Sequence, residues 1–272
     1  MLSGTMSSPR VRSRIHLMGG GPGTMLALRS HLKSALAEAV TANPKKKPLV
    51  AYVGAASGDH LGFQHMIGAV LAAAGARVQG VKLASPKANV SAARTLLEDS
   101  DAIFVSGGDV ELGMSVLQDR GVLPLFHTLV LAGKPIIGIS AGSIMLGRAW
   151  VRFPEEKVGV KALGPSVFPC MGLAPVYVDA HAEDEEWGEL RVLLHLVAQS
   201  GENRPVGYGL TRKGGLTLEP SDQGTNVVAF GTDAPRFVAR GGKVLASDSL
   251  RVGTSEPANG PEERPRRGPA AR

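Results

Sequence analysis

The chain has 272 residues, 43% hydrophobic and 20% charged, an ordinary composition for a globular protein of one large or two small domains. Its net charge of +6 sits mainly at the ends: residues 1–14 hold three Arg and no acid, residues 251–272 hold five Arg against three Glu, and the near-neutral body lacks the clustered cations that nucleic acid requires. Cys170, the one cysteine, excludes an intramolecular disulfide framework and argues against a cysteine-based zinc site, and no apolar run approaches the ~20 residues of a membrane span.

Residues 1–13 contain no apolar core of a secretory signal and read as a disordered leader, so the cytoplasm is the expected location. Ile15–Met18 is a short apolar run ending in Gly19-Gly20-Gly21-Pro22-Gly23, followed by a helical stretch over Thr24–Val40. Leu49–Val53 predicts a buried strand and His60–Ala74 a helix. Val78–Leu83 is the next strand, Ser91–Glu98 a helix, and Ala102–Val105 a strand running into Ser106-Gly107-Gly108-Asp109. Leu112–Leu117 and Leu123–Ala132 are helical. Pro135–Ile139 is a strand and Ser140–Arg148 a helix. Beyond residue 150 short strands dominate, at Val176–Val178, Val206–Leu210, Leu216–Leu218, Val227–Phe230 and Arg236–Ala239, with one convincing helix at Glu189–Gln199. The last stretch, 251–272, is rich in Pro, Gly, Arg and Glu and cannot offset its ordering entropy by burial, so it reads as a disordered tail. Residues 14–250 are expected to form one domain.

Apolar strands alternating with helices predict an α/β fold with a mostly parallel sheet covered on both faces, and the later strands a small antiparallel extension. Ligands of such sheets bind beyond the carboxyl ends of the strands. The Gly19–Gly23 loop, the Ser106–Asp109 turn and Ser140 all fall there.

The strongest chemical signal is Gly138-Ile139-Ser140-Ala141-Gly142-Ser143, a G-x-S-x-G sequence between an apolar strand and a helix. A serine on this sharp turn is exposed as a nucleophile, and small neighbours relieve the crowding. An ordinary turn with Ser140 capping the helix is the plainer alternative. The backbone amides of Ala141 and of Gly107 or Gly108 are candidates for stabilising an oxyanion, while Asp109 suits a helix N-cap. Of seven histidines, His181 is the best-placed base, because it ends the strand Val176–Ala180 in an acidic loop; His60 remains open. GGGPG lacks the G-x-G-x-x-G spacing and no P-loop lysine follows, so a nucleotide site is disfavoured. No metal-ligand spacing is found, and neither cofactor nor metal is expected.

Four segments, FVSGGD (104–109), GISAGS (138–143), GLAPVYVDAH (172–181) and VGYGLT (206–211), together resemble the dipeptidase E and cyanophycinase family of serine peptidases, over about residues 14–240. The resemblance implies a flavodoxin-like three-layer sandwich, like that of class I glutamine amidotransferases. It implies Ser140 as nucleophile, His181 as base, an oxyanion site at Gly107 or Gly108, and Asp179 near the substrate. The substrate would be a short peptide or amide, with an aspartyl residue suggested by the family. Neither nucleic acid nor membrane is an expected partner, and a homodimer is left open. Two departures stand out. Arg212 occupies the place of the acid that orients the histidine, leaving Glu219, Glu183 and Asp184 as candidates for that role, and Val110 replaces a common Gln. Arg212 therefore motivates a second reading, a catalytically inactive module of the same fold in which Arg212 pairs with a carboxylated ligand.

Overall fold

The computed structural model describes residues 13–21, 24, 26–40, 46–154, 164–222, 224–258 and 260. The first half alternates strand and helix: β1 (Ile15–Met18), α1 (Arg29–Glu38), β2 (Leu49–Val53), α2 (Leu61–Ala73), β3 (Arg77–Val81), α3 (Val90–Asp99) and β4 (Ala102–Val105). It continues through α4 (Val110–Asp119), α5 (Leu123–Leu131), β5 (Ile136–Ile139) and α6 (Ala141–Leu146). The second half is strand-rich: β6 (Ala149–Arg152), β7 (Ser166–Pro169), β8 (Tyr177–Ala180), α7 (Gly188–Gln199), β9 (Val206–Leu210), β10 (Gly215–Ser221), β11 (Gly224–Phe230), β12 (Ala234–Arg240), β13 (Lys243–Leu250) and β14 (Ser255–Pro257).

An eight-stranded sheet runs in the order β14-β11-β10-β1-β5-β4-β2-β3. Its β1, β5, β4, β2 and β3 are parallel, and β10, β11 and β14 extend it antiparallel. Side chains alternate between its two faces with the strand period of two. Ala51, Val53, Ile103 and Val105 pack with Leu97, Met114 and Phe126 of α3, α4 and α5 on one side. Val50, Tyr52, Ala102 and Phe104 pack with Leu32, Leu36, Ile67 and Leu71 of α1 and α2 on the other. This gives the expected three-layer arrangement. A four-stranded sheet, β13-β12-β9-β8, carries α7, whose Leu190, Leu193, Leu194 and Val197 meet Tyr177 and Phe237. Among the described residues no helix is long and apolar enough to cross a membrane.

Three expectations are corrected. The helix expected over Thr24–Val40 begins only at Arg29, because Leu26 is exposed and the buried stripe starts at Leu28. The pair β6–β7 was not foreseen. Ordered structure also extends past residue 250: β14 pairs with β11, and Glu256 accepts a hydrogen bond from Tyr208 and pairs with Arg236. A partner for the buried Tyr208 and the largely covered Arg236 holds this segment where composition alone predicts a tail. Residues 1–12 of the expected leader and 261–272 of the tail lie outside the described residues.

Candidate active site

Parallel pairing brings several strand ends to one edge. In the eight-stranded sheet β5 delivers Ser140 and its neighbour β4 delivers Ser106–Asp109, while β8 of the four-stranded sheet delivers His181. The Ser140 backbone has φ 53° and ψ −128°, a conformation costly for a residue with a side chain. Its surroundings over-determine it. The Ser140 N–H donates to the Met18 and Gly19 carbonyls (2.9 and 3.1 Å). The Ser143 hydroxyl accepts from the Met18 N–H (2.9 Å) and donates to the Met18 carbonyl (2.8 Å). The flanking glycines are required by contact: a Cβ on Gly138 would lie 2.8 Å from the Ser143 backbone, and one on Gly142 only 2.2 Å from the Val105 carbonyl. The end of the first strand and Gly19 thus brace the Ser140 turn.

His181, itself at φ 49°, follows β8 and is held by its own N–H donating to the Leu210 carbonyl (2.8 Å). Its Nε2 lies 2.8 Å from Ser140 Oγ. A hydroxyl donating to an unprotonated Nε2 can lose its proton as it attacks an electrophile. Gly107 packs directly behind the serine, a Cβ there falling 3.0 Å from Ser140 Cβ.

A cavity of about 280 Å³ opens at this pair, lined by Gly108, Ala141, Ile144, Trp150 and the carboxylate residues Asp109, Asp179, Glu185 and Glu189 among others. Asp109 also caps α4, accepting from the Leu112 N–H at 2.7 Å. Glu189 accepts from Trp150 Nε1 at 2.9 Å. Asp179 is 6% exposed. Its Oδ1 accepts from the Ala180 N–H at 2.7 Å, and its Oδ2 is shut from solvent without a hydrogen-bond partner among the described residues. Burial is the main cause that pushes its carboxyl up to about 7; Glu189 and Glu185 add to the rise, and the Ala180 and Leu190 amides oppose it.

Ser140, His181, Gly108, Ala141, Asp109 and Asp179 therefore share one cavity, with Gly107 behind it. Arg212 does not line it. Its backbone N–H donates to Glu183 (2.7 Å) and its guanidinium pairs with Asp184, so the side chain expected to hold a ligand carboxylate is already engaged by Asp184. None of the acids considered for orienting His181 lies within ion-pair distance of it among the described residues. Glu183 and Asp184 serve Arg212, and Glu219 pairs with Arg14 at 3.0 Å. His60 caps α2 and is not part of the cavity. Trp150 was missed in the sequence because β6 was, and Glu189 was read only as the start of a helix. No group of three or more His, Cys, Asp or Glu side chains placed to hold a metal ion occurs among the described residues.

The sequence profile of Peptidase family S51 matches residues 15–217. The chain is 30% identical over 161 residues to Peptidase E of Streptomyces coelicolor, covering 59% of this chain and 61% of that protein. It is 34% identical over 85 residues to Peptidase E of Shewanella denitrificans, covering 31% and 34%. These matches thus span about a third to three fifths of the relatives' own length. A crystal structure of a peptidase from an acI-B1 Actinobacterium superposes with TM-score 0.68 at 18% identity, over 92% of this chain and 98% of that one, a likeness of fold.

Proposed function

The chain belongs to peptidase family S51, and from that premise we propose that it hydrolyses a peptide or amide bond in short substrates by a serine mechanism. The observation that carries this reading is the 2.8 Å approach of Ser140 Oγ to His181 Nε2 on a turn whose strain is held by neighbouring backbone. Ser140 attacks the carbonyl carbon, and its proton passes to His181 Nε2. The tetrahedral oxyanion accepts from the Ala141 and Gly108 amides, each such donor being worth roughly 10²–10³ in rate. Collapse expels the amine, which takes the proton from His181, and leaves an acyl-enzyme. Water then attacks with His181 again as base.

The departure at Arg212 leaves His181 without the usual carboxylate behind it. Loss of that group costs a serine triad up to about 10⁴ in kcat through the wrong imidazole tautomer, so a modest turnover number is expected. The alternative of an inactive binding module drew its support from Arg212, and the pairing of that side chain with Asp184 withdraws it.

Labelling with a fluorophosphonate probe tests the reading. Wild-type protein should label, and Ser140→Ala and His181→Ala should not, with circular dichroism unchanged. A folded wild type that resists the probe would return the chain to the binding-module reading.

A further inference from the structure

The cavity beside Ser140 has a one-sided charge. Asp109, Asp179, Glu185 and Glu189 face it, and no Lys or Arg is among the described residues that line it. Arg212 is tied to Asp184 and Glu183 outside the lining, Arg152 pairs with Glu111, and Arg191 lies over the Phe237 ring. A substrate with an aspartyl side chain, as the family resemblance implies, would meet carboxylates with no counter-charge.

Asp179 supplies a second and independent observation. It is 6% exposed, yet Oδ2 has no partner among the described residues although the residue lines the cavity. A buried carboxylate oxygen without a donor is expensive, and one that persists calls for a functional role or for a bound group that completes it. Trp150 forms part of the same wall. Its indole N–H is committed to Glu189, and indole faces attract ammonium and guanidinium groups. Carboxylates with an aromatic wall are donor-poor and cation-seeking.

We propose that this cavity recognises a positively charged group of the substrate, an ammonium or a guanidinium, through Asp179 with Glu185, Glu189 and the Trp150 ring. The inference deepens the peptidase reading and rests on it for the word substrate; the binding itself can be measured without turnover. The cation lies within one side chain of the scissile carbonyl, because the same cavity is lined by Ser140 and His181. Its source is either the free α-amine of the peptide or a Lys or Arg side chain.

Calorimetric titration of Ser140→Ala protein separates these. The ligands are N-acetyl-argininamide (side-chain cation only), norleucinamide (α-ammonium only), N-acetyl-norleucinamide (neutral) and N-acetyl-aspartamide (anionic). At least one singly cationic ligand should bind ten times more tightly than the neutral one or better, the magnitude of a charge-assisted hydrogen bond, and whichever does so identifies the source. Asp179→Asn in the same background should remove most of that advantage. Glu189→Gln, which keeps an acceptor for Trp150, should reduce it and serves if Asp179→Asn fails to fold. Equal binding of cationic and neutral ligands, or preference for the aspartyl ligand, overturns the proposal. Cation-selective binding with no fluorophosphonate labelling of wild type would retain the pocket's specificity and remove the peptidase reading instead.

Discussion

One loop and its flanks, residues 179–189, carry two sets of carboxylates with opposite fates. Glu183 and Asp184 lie outward and engage Arg212, through its backbone N–H and guanidinium respectively. Asp179, Glu185 and Glu189 face the cavity, where no cation answers them among the described lining residues. Asp184 is 77% exposed, and water screens whatever its pairing leaves over; Glu183 is partly buried, with Oε2 4.0 Å from Arg212 Nε. The inner set includes a carboxyl removed from water, whose proton affinity rises as a result. Compensated charge sits where it matters little for binding, and uncompensated charge sits beside the proposed nucleophile. That asymmetry is the sign of a recognition surface rather than of a solvated acidic loop.

The comparison has meaning only if the inner set surrounds a reacting group, and the largest expected effect tests this. His181→Ala should lower kcat/KM on any hydrolysed peptide by about 10³-fold or more, while melting temperature stays within a few degrees. A variant that keeps a tenth of the wild-type rate would detach His181 from the chemistry and leave the inner carboxylates facing an inert cavity.

The next effect is on stability, and its sign follows from the raised Asp179 value. The unfolded carboxyl titrates near 3.8 and the folded one near 7. Below both values the group is neutral in both states and costs nothing. As pH rises between them the unfolded state ionises first, so wild-type stability falls across that window. Asp179→Asn is neutral throughout. Its unfolding free energy in denaturant should exceed wild type by an amount of the order of 4 kcal/mol at pH 8, and the gain should shrink as pH falls toward 4.5. A difference independent of pH would mean that Asp179 is not the strained group. Glu189→Gln removes the larger of the two carboxylate contributions, so the same series should show a gain of about 0.5–1 kcal/mol at pH 8 and a wild-type-like drop displaced to lower pH.

The legible parts of this site were those fixed by short contiguous segments. G-x-S-x-G announces a strand, a turn and a helix within ten residues, and the apolar runs around it define the parallel sheet. His181 was accessible because it ends a strand. The loop Gly19–Gly23, expected at the ligand edge of the sheet, braces Ser140 through the Gly19 carbonyl, a long-range contact that no local pattern encodes. Trp150 and Glu189 meet across 39 positions, and β6 is too short and mixed to signal itself. The unpartnered oxygen of Asp179 is a property of packing: D-A-H reads the same whether its aspartate is wet or buried. β14 escaped for a related reason, since its ordering depends on Glu256 meeting Arg236 and Tyr208.

The smallest effect is expected at the residue that was the most suggestive in sequence. Arg212 stands where the family resemblance leads one to expect an acid, and that position invited a role in holding substrate. Its guanidinium is 44% exposed at the side chain and paired with an even more exposed Asp184, a type of contact that contributes little in water. Arg212→Ala should therefore leave melting temperature within about 2 °C of wild type and kcat/KM on a cationic peptide within about threefold. The same substitution also frees the Asp184 carboxylate, one residue from Glu185 of the already acidic cavity. Any change in KM should accordingly favour the cationic substrate, more visibly at low ionic strength, where screening is weakest. A loss of turnover of tenfold or more, or a new tolerance for aspartyl peptides, would mean that the outer and inner sets act as one site and that the division between them is wrong.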